Sequence, residues 1–289
     1  MTAIATAAAP QIRRLDRFAS VASTNDVVRD WLAAGEPEIC VAIAGEQTAG
    51  RGRHGRTWIA PPGRGLLMSL GFRPSWLAPD RVWRLAASVS LAMADAAEEA
   101  TGLRAGSIGL KWPNDLVVTV NGAGGTTDGA GRSSTVIRKL GGVLGETDGL
   151  GTDDPRAIVG IGLNADWPAD AFPVELRDSM TSLRAAAGDR PIDNEQLVHG
   201  FRDHIDARID ALHAGRFDAT GWIERQVTTG RTIDVLLPDG STETALAIGA
   251  DADSGALRIA APGDPRRERS ILVGEVVRVR LAGISPIGL

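Results

Sequence analysis

The sequence predicts an α+β domain followed by a small all-β barrel, and two observations support this fold class. Up to about residue 225, apolar runs of strand length are interspersed with three helical patterns, whereas after Trp222 only short strands remain, separated by Pro-Asp-Gly and Gly-Asp-Pro turns. The 289 residues, 43% of them apolar, suffice for one large domain and one small one. We therefore expect a tail over 1–19, a main domain over 20–225 and the barrel over 226–289.

Capping residues and periodicity define the elements of the main domain. Ser23 to Asp26 supply helix-cap residues for a first helix, whose apolar face ends at Gly35. Pro113 ends a strand, because proline cannot donate to a ladder. Two longer helices are expected at 79–101 and 194–213, and strands at 39–44, 66–72, 108–112, 116–120, 136–146 and 156–164.

The strands at 116–120 and 136–146 predict a hairpin with an unusual connection. Residues 121–134 are almost entirely Gly, Ala, Ser, Thr and Asp, which cannot bury enough apolar surface to offset the entropy lost on ordering. We interpret 121–134 as a flexible insertion. Strands of the barrel are expected at 232–237, 244–250, 256–259 and 271–281.

Composition excludes several classes of function. The formal net charge of −5 argues against a surface that holds nucleic acid or anionic lipid, since both demand excess Lys and Arg. Cys40 is the only cysteine, which excludes an internal disulfide and a multi-cysteine zinc site and fits a reducing cytosol. No stretch approaches the roughly 18 apolar residues of a membrane span. We expect a cytoplasmic protein that binds neither nucleic acid nor membrane.

The loop 50–56 is the strongest local signal for chemistry. Its glycines alternate with Arg51, Arg53, His54 and Arg56 in an otherwise acidic chain. Glycine lets backbone N–H groups approach an anion, and guanidinium groups bind phosphate or carboxylate in bidentate fashion. The pattern suits a polyphosphate, but a solvated basic turn or an RNA-binding Arg/Gly segment would have the same composition.

Two further motifs carry weaker signals. Lys-Trp-Pro-Asn-Asp at 111–115 places a cation, an amide and a carboxylate where a strand ends, which suits an anion or a hard cation such as Mg²⁺ but also a structural turn. Lys139 lies beside Gly141 and Gly142 within an apolar strand. Its charge needs a partner there, such as a bound anion, unless the lysine protects a sheet edge against aggregation. A third match is rejected: Gly-Ile-Gly-Leu-Asn-Ala at 160–165 fits a dinucleotide-binding pattern, but Trp167-Pro168 stand where the helix of that motif should begin.

Taken in order, these segments resemble the biotin–protein ligase family, also called biotin–[acetyl-CoA-carboxylase] ligases. The resemblance covers roughly residues 20–283. It implies a mixed β-sheet catalytic domain flanked by helices, similar to class II synthetases, and an SH3-like fold for the barrel. The matching segments are Ser23-Thr24-Asn25 and the runs 46–58, 111–115, 139–142 and 160–164.

The resemblance also implies roles for individual residues. Arg53, Lys111 and Lys139 would be catalytic, Trp58 would form a lid over the adenine, and Asp115 would hold Mg²⁺. The implied biotin-binding residues are Ser23, Thr24, Gln47, Gly50, Arg51, Lys139, Gly142 and Gly160. The implied ATP-binding residues are Arg53, Arg56, Trp58, Lys111, Asn114, Asp115, Asn164 and Arg280.

By the same resemblance, the substrates are biotin and ATP with its Mg²⁺, and the partner is a biotin carboxyl carrier protein or domain of an acetyl-CoA, acyl-CoA or pyruvate carboxylase. A lipoate or octanoate ligase and a non-catalytic biotin or nucleotide sensor stay open as alternatives, as does a homodimer. Only 22 residues precede Ser23, so we expect no N-terminal DNA-binding domain. His54, which replaces an arginine of some family members, has no assigned role.

Overall fold

A seven-stranded mixed sheet forms the centre of the larger unit. The computed structural model describes residues 12–121, 135–261 and 264–280. The strand order is β1-β2-β3-β7-β6-β5-β4, in which β1 and β2 are parallel and every other pair is antiparallel. These strands are β1 (Arg14–Phe18), β2 (Cys40–Ala44), β3 (Gly65–Phe72), β4 (Ile108–Lys111), β5 (Asp115–Asn121), β6 (Thr135–Asp148) and β7 (Arg156–Asn164).

Helices cover both faces of this sheet, because the central strands carry apolar side chains on both faces. On one face, α1 (Thr24–Ala33) packs Val28 and Leu32 against Cys40. On the other face lie α2 (Trp83–Thr101) and α4 (Asn194–His213), which share a large core with Val41 and Ile43 of β2. The short helices α3 (Leu183–Ala186) and α5 (Ala219–Glu224) complete the unit. In the described ranges, no helix combines the length and apolarity that a bilayer crossing requires.

The C-terminal segment forms a second, antiparallel sheet with its own core. Its order is β11-β10-β9-β8-β12, and no ladder joins β11 to β12 among the described residues. Trp112 from the larger unit enters the core of this sheet and donates a hydrogen bond from Nε1 to Gly255 O at 3.0 Å. The strands are β8 (Thr232–Leu236), β9 (Thr242–Ala250), β10 (Leu257–Ala261), β11 (Asp264–Ile271) and β12 (Glu275–Arg280).

The predicted fold class is confirmed, while several elements differ in detail. The strand predicted over 271–281 is shorter in the structure, Glu275–Arg280, because the chain turns after Ile271, and β11 (Asp264–Ile271) is a strand that sequence analysis does not predict. The helix expected from residue 79 begins with a 3₁₀ turn, Pro79–Arg81, and becomes α-helical only at Trp83. The strand β1 lies within the segment predicted as a tail. Residues 1–11, 122–134 and 281–289, which include nearly all of the predicted insertion, lie outside the described residues.

Candidate active site

One cavity gathers most of the residues predicted from sequence. It lies beside the first turn of α1, over β6 and β7, and below the loop 50–56, and Glu275 of the second unit completes its wall. Segments far apart in the chain therefore meet around a single space. The predicted residues that line it are Ser23, Thr24, Gln47, Arg51, Arg53, Arg56, Trp58, Asn114, Asp115, Lys139, Gly142 and Gly160.

Where Ser23, Thr24 and Gln47 line the cavity, its wall is polar and mostly buried, and these side chains are neutral. We call this part the neutral end. The Thr24 backbone N–H and hydroxyl donate to Gln47 Oε1 at 2.7 and 3.0 Å. The Ser69 hydroxyl lies 2.7 Å from Thr24 Oγ1 and 2.6 Å from Asn25 Oδ1. Ser23 is buried at the N-cap of α1, but its side chain makes no capping hydrogen bond. This network fixes the donors and acceptors that face the cavity before any ligand arrives.

Two glycines of β7 make room for the side chains above them. A Cβ on Gly160 would lie 2.2 Å from Asn25 Oδ1, and a Cβ on Gly162 would lie 2.5 Å from the indole of Trp58. Real Cβ atoms do not approach other heavy atoms this closely, so a larger residue at either position would displace the wall of the cavity. The glycines predicted from sequence thus act by close packing.

The part of the wall formed by the loop 50–56 and Lys139 is cationic, and its arginines already have protein partners. We call this part the cationic end. Arg51 donates to Asp26 Oδ2 at 2.7 Å and Oδ1 at 2.8 Å, and its hydrogen bond lowers the pKa of Asp26 despite partial burial. Arg56 Nη1 lies 2.6 Å from Glu275 Oε1. Arg53 Nη1 donates to Gly274 O at 3.0 Å, and burial lowers the pKa of its guanidinium. The Gly/Arg loop is therefore tied to the turn between β11 and β12.

Asp115 links two lysines at the base of the cavity. Lys139 Nζ lies 2.6 Å from Asp115 Oδ1 and 5.5 Å from the ring centroid of Trp58. Lys111 Nζ lies 2.9 Å from the other carboxylate oxygen, Oδ2. Burial alone would raise the pKa of Asp115, but the charges of Lys111 and Lys139 outweigh it and hold that pKa below its ordinary value. The carboxylate therefore stays ionised between two ammonium groups.

Of the four other predicted residues, three are not on the wall of the cavity, and the side chain of the fourth, Arg280, is not described. Gly50 lies at the base of the loop, where a Cβ would be 2.5 Å from Trp58 O. Asn164 is fully buried and donates from Nδ2 to Thr181 O at 3.0 Å, while its Oδ1 has no hydrogen-bond partner among the described residues. Lys111 is behind Asp115. Arg280 ends β12, and its side chain lies outside what the structure describes.

Sequence analysis missed the acidic partners of the arginines. Glu275 lines the cavity with only 12% of its side chain exposed, and Asp26 and Glu146 both contact Arg51. Glu275 stands 219 residues from Arg56, in a segment predicted as uninterrupted strand, so no local pattern marked it. The signal that could have found these carboxylates is charge balance, since clustered arginines in a folded protein need counter-charges.

The described residues contain no group of three or more His, Cys, Asp or Glu side chains arranged to hold a metal ion. Magnesium usually uses one or two carboxylates together with the phosphates of its nucleotide. Both oxygens of Asp115 are already bound to lysine ammonium groups, so this carboxylate does not fit a magnesium ligand as it is placed. Binding of Mg²⁺ by Asp115 stays a prediction from sequence.

A neutral polar slot that opens onto a clamp of arginine and lysine is the kind of site that suits a ligand with a neutral head and an anionic tail. Comparison with known proteins agrees with this class. The model of the Biotin/lipoate A/B protein ligase family matches residues 18–164. Biotin--[acetyl-CoA-carboxylase] ligase from Mycobacterium tuberculosis is 30% identical over 271 residues, which cover 93% of this chain and 90% of that protein. The chain therefore belongs to the biotin/lipoate protein ligase family.

Other relatives match over a smaller part of their length. Bifunctional ligase/repressor BirA from Bacillus subtilis is 32% identical over 170 residues, which cover 59% of this chain and 46% of that protein. The match thus spans about half the length of that curated relative. Among solved structures, the biotin protein ligase from Aquifex aeolicus in complex with biotin and ATP superimposes with a TM-score of 0.71, at 23% identity, over 94% of this chain and 100% of that chain. This likeness supports the fold.

Proposed function

We propose that the protein activates biotin with ATP to form biotinyl-5′-AMP, and then transfers the biotinyl group to a lysine of a biotin carboxyl carrier protein. The observation that carries the proposal is the joining of a neutral polar slot and a cationic clamp within one cavity. The names of the relatives, biotin--[acetyl-CoA-carboxylase] ligases, support the same substrate and the same kind of acceptor.

The neutral end of the cavity suits the head group of biotin. A ureido ring carries two N–H donors and one carbonyl acceptor but no charge, so it needs fixed hydrogen-bond partners. Ser23 and Thr24, which are buried, and Gln47, which is partly buried, supply such groups on the wall of the cavity. Val143, Leu144 and Ile161 add apolar surface for the rest of the molecule, as is usual in sites for small ligands.

The cationic end suits the two anions that must react. The biotin carboxylate attacks the α-phosphorus of ATP, the bond from that phosphorus to the bridging oxygen breaks, and pyrophosphate leaves. Lys139 would hold the carboxylate beside the α-phosphate, and Arg51, Arg53 and Arg56 would hold the phosphates. Cations that are placed beforehand reduce the repulsion between these anions and stabilise the charge that develops on pyrophosphate. In the second step, an acceptor amine attacks the acyl carbon and AMP leaves.

The Gly/Arg loop would protect the adenylate between the two steps. A mixed anhydride hydrolyses readily, so water must be excluded until the acceptor lysine arrives. Arg53 and Arg56 anchor this loop to Gly274 and Glu275, which gives the second unit a part in closing the site.

Three further parts of the proposal concern the metal ion, the domains and the location of the protein. Magnesium would accompany the ATP phosphates. We extend the proposal to a catalytic domain at 20–225 and a barrel domain at 226–289, because each sheet has a core made mainly of its own residues. We also propose that the protein acts in the cytoplasm, which the free, buried Cys40 suits.

Two alternative functions have weaker support. A lipoate or octanoate ligase would belong to the same family, but the linear acids it uses have no ureido group to match the polar wall formed by Thr24 and Gln47. A sensor would bind biotin or nucleotide without catalysis, yet Lys139 and the arginines lie around the same cavity as the polar slot, which suits a reaction between bound anions.

Exchange of labelled pyrophosphate into ATP tests the proposal. We expect exchange that requires biotin, because adenylate formation is reversible: the adenylate stays bound while unlabelled pyrophosphate leaves and labelled pyrophosphate enters to re-form ATP. Exchange that requires lipoate or octanoate and ignores biotin would replace the proposal with a lipoate ligase, and tight biotin binding without exchange would replace it with a sensor. Transfer is tested separately by mass spectrometry of a carrier domain, where one biotinylated lysine is expected.

A further inference from the structure

Lys111 lies outside the cavity, although its charge is close to it. Of the side chains that the structure describes, those lining the cavity include Asp115 and Lys139 but not Lys111. Lys111 faces Asp115 across the hairpin of β4 and β5, and only 18% of its side chain is exposed. Its ammonium meets Oδ2 of Asp115, whereas Lys139 meets Oδ1 on the cavity side. In this arrangement Asp115 lies between Lys111 and the cavity described above, although Lys111 and Lys139 also line a neighbouring cavity.

The charges of the three groups explain why Lys111 is needed. Lys139 and Asp115 alone would form a neutral ion pair, and a neutral pair has little net attraction for an incoming anion. With Lys111 the three groups carry a net charge of about +1, since two ammonium groups share one carboxylate. Asp115 is almost completely buried, so its negative charge is poorly screened by water and acts strongly on groups in the cavity.

We propose that Lys111 is a positioning residue that neutralises Asp115 from behind, so that the positive charge of Lys139 faces the anionic ligand. Lys111 then acts without touching the carboxylate or phosphates of the substrates. The proposal rests on the proposed function, because the ligand anion is the biotin carboxylate or the α-phosphate. It differs from direct neutralisation of phosphates by Lys111, which the sequence motif alone would suggest.

The two roles predict opposite outcomes when Asp115 also loses its charge. If Lys111 acts through Asp115, Lys111→Met leaves Asp115 to neutralise Lys139, and adding Asp115→Asn frees the charge of Lys139 and restores part of the loss. If Lys111 contacts phosphate directly, the second substitution leaves the loss in place or deepens it. Residues that act through one another show such non-additive effects, which a double-mutant cycle measures.

Pyrophosphate exchange should be measured for the wild type, Lys111→Met, Lys111→Arg and the double variant Lys111→Met/Asp115→Asn. We expect Lys111→Met to lower the rate about 10-fold to 100-fold, below the range for removing a direct oxyanion donor. Lys111→Arg should recover most of this loss, and the double variant should exceed Lys111→Met by about 10-fold. A double variant no more active than Lys111→Met would overturn the proposal.

Calorimetric titration provides a second measurement that does not depend on catalysis. Lys111→Met should weaken binding of biotin about 10-fold but leave binding of uncharged biotin amide within about twofold, because only the carboxylate senses the net charge. Equal weakening of both ligands would indicate a purely structural role and would also overturn the proposal. Absence of biotin binding or exchange in the wild type would instead count against the proposed function, so the two failures are distinguishable.

Discussion

The two ends of the cavity are built on different principles. At the neutral end, Thr24, Gln47 and Ser69 bond to one another, and these bonds need not break when a ligand arrives. At the cationic end, Arg51 and Arg56 are paired with carboxylates of the protein itself. An anionic ligand must therefore compete with Asp26 and Glu275, whereas a neutral head group meets a wall that is already set.

This difference predicts how the ends respond to change. Neutral hydrogen bonds contribute modestly and are insensitive to salt, while interactions between ions are stronger, change with pH and are screened by salt. Pairing within the protein also keeps several like charges together within one small site, since Arg51, Arg56 and Lys139 each have a carboxylate partner. We expect substitutions at the cationic end to alter the rate of reaction and substitutions at the neutral end to alter mainly the affinity for biotin.

The largest effect is expected for Lys139→Met. Removal of the ammonium on the cavity side of Asp115 should lower biotin-dependent pyrophosphate exchange by about 100-fold to 1,000-fold, the range found when one donor to a developing charge is lost. Arg17→Met is a matched control, because Arg17 pairs with Glu195 away from the cavity. Exchange within about threefold of wild type in Lys139→Met, in a protein with unchanged thermal unfolding, would contradict the role of the cationic end.

A smaller effect is expected for Arg53→Ala, which removes the bond from the loop to Gly274 O. Loss of one charged hydrogen bond, about 1.5–3 kcal/mol, should speed release of the adenylate about 10-fold to 100-fold. The measurement is the half-life of labelled adenylate on the protein after rapid gel filtration, together with biotinylation of lysines on an unrelated protein. Retention of the adenylate equal to that of wild type would contradict a role for the loop in protecting it.

Thr24→Val tests the neutral end and should have a more modest effect. Loss of the hydroxyl that contacts Gln47 and Ser69 should raise KM for biotin about 5-fold to 10-fold, which corresponds to about 1 kcal/mol, and leave kcat unchanged. The increase should be the same in low and high salt. Thr24→Ser keeps the hydroxyl and serves as the control. A decrease in kcat as large as that of Lys139→Met would erase the distinction between the two ends.

The smallest effect concerns stability in acid, to which the cationic end contributes through Asp115 and the neutral end contributes no titrating group. The folded protein holds the pKa of Asp115 below its ordinary value, so this carboxylate stabilises the fold fully above that ordinary value, and the contribution is lost as pH falls through the lower, folded value. Urea unfolding of the wild type and Asp115→Asn at a series of pH values should show a difference in stability that narrows below about pH 4. A difference independent of pH would contradict this linkage.

Much of the site could be predicted from sequence, because its motifs are local. Glycines beside arginines, a strand stopped by proline, and serine, threonine and asparagine at a helix start each have a short-range physical cause. Lys111 shows the limit of sequence analysis. The motif at 111–115 places Lys111 near Asn114 and Asp115, but it does not decide on which side of the Asp115 carboxylate the lysine lies. The register of the hairpin between β4 and β5, and the packing beneath it, set Lys111 behind the carboxylate.

The sequence by itself determined the fold class, most strands of the main sheet, and the residue types that meet the two kinds of ligand group, since hydrophobic period and turn chemistry act over a few residues. Only the tertiary structure decided the partners of the cations. Glu275 reaches Arg56, and Glu146 reaches Arg51, across 219 and 95 residues of chain. Such pairs depend on how the two sheets and α1 pack together, because the interaction between two charges depends on their distance in space and not on their separation in the sequence.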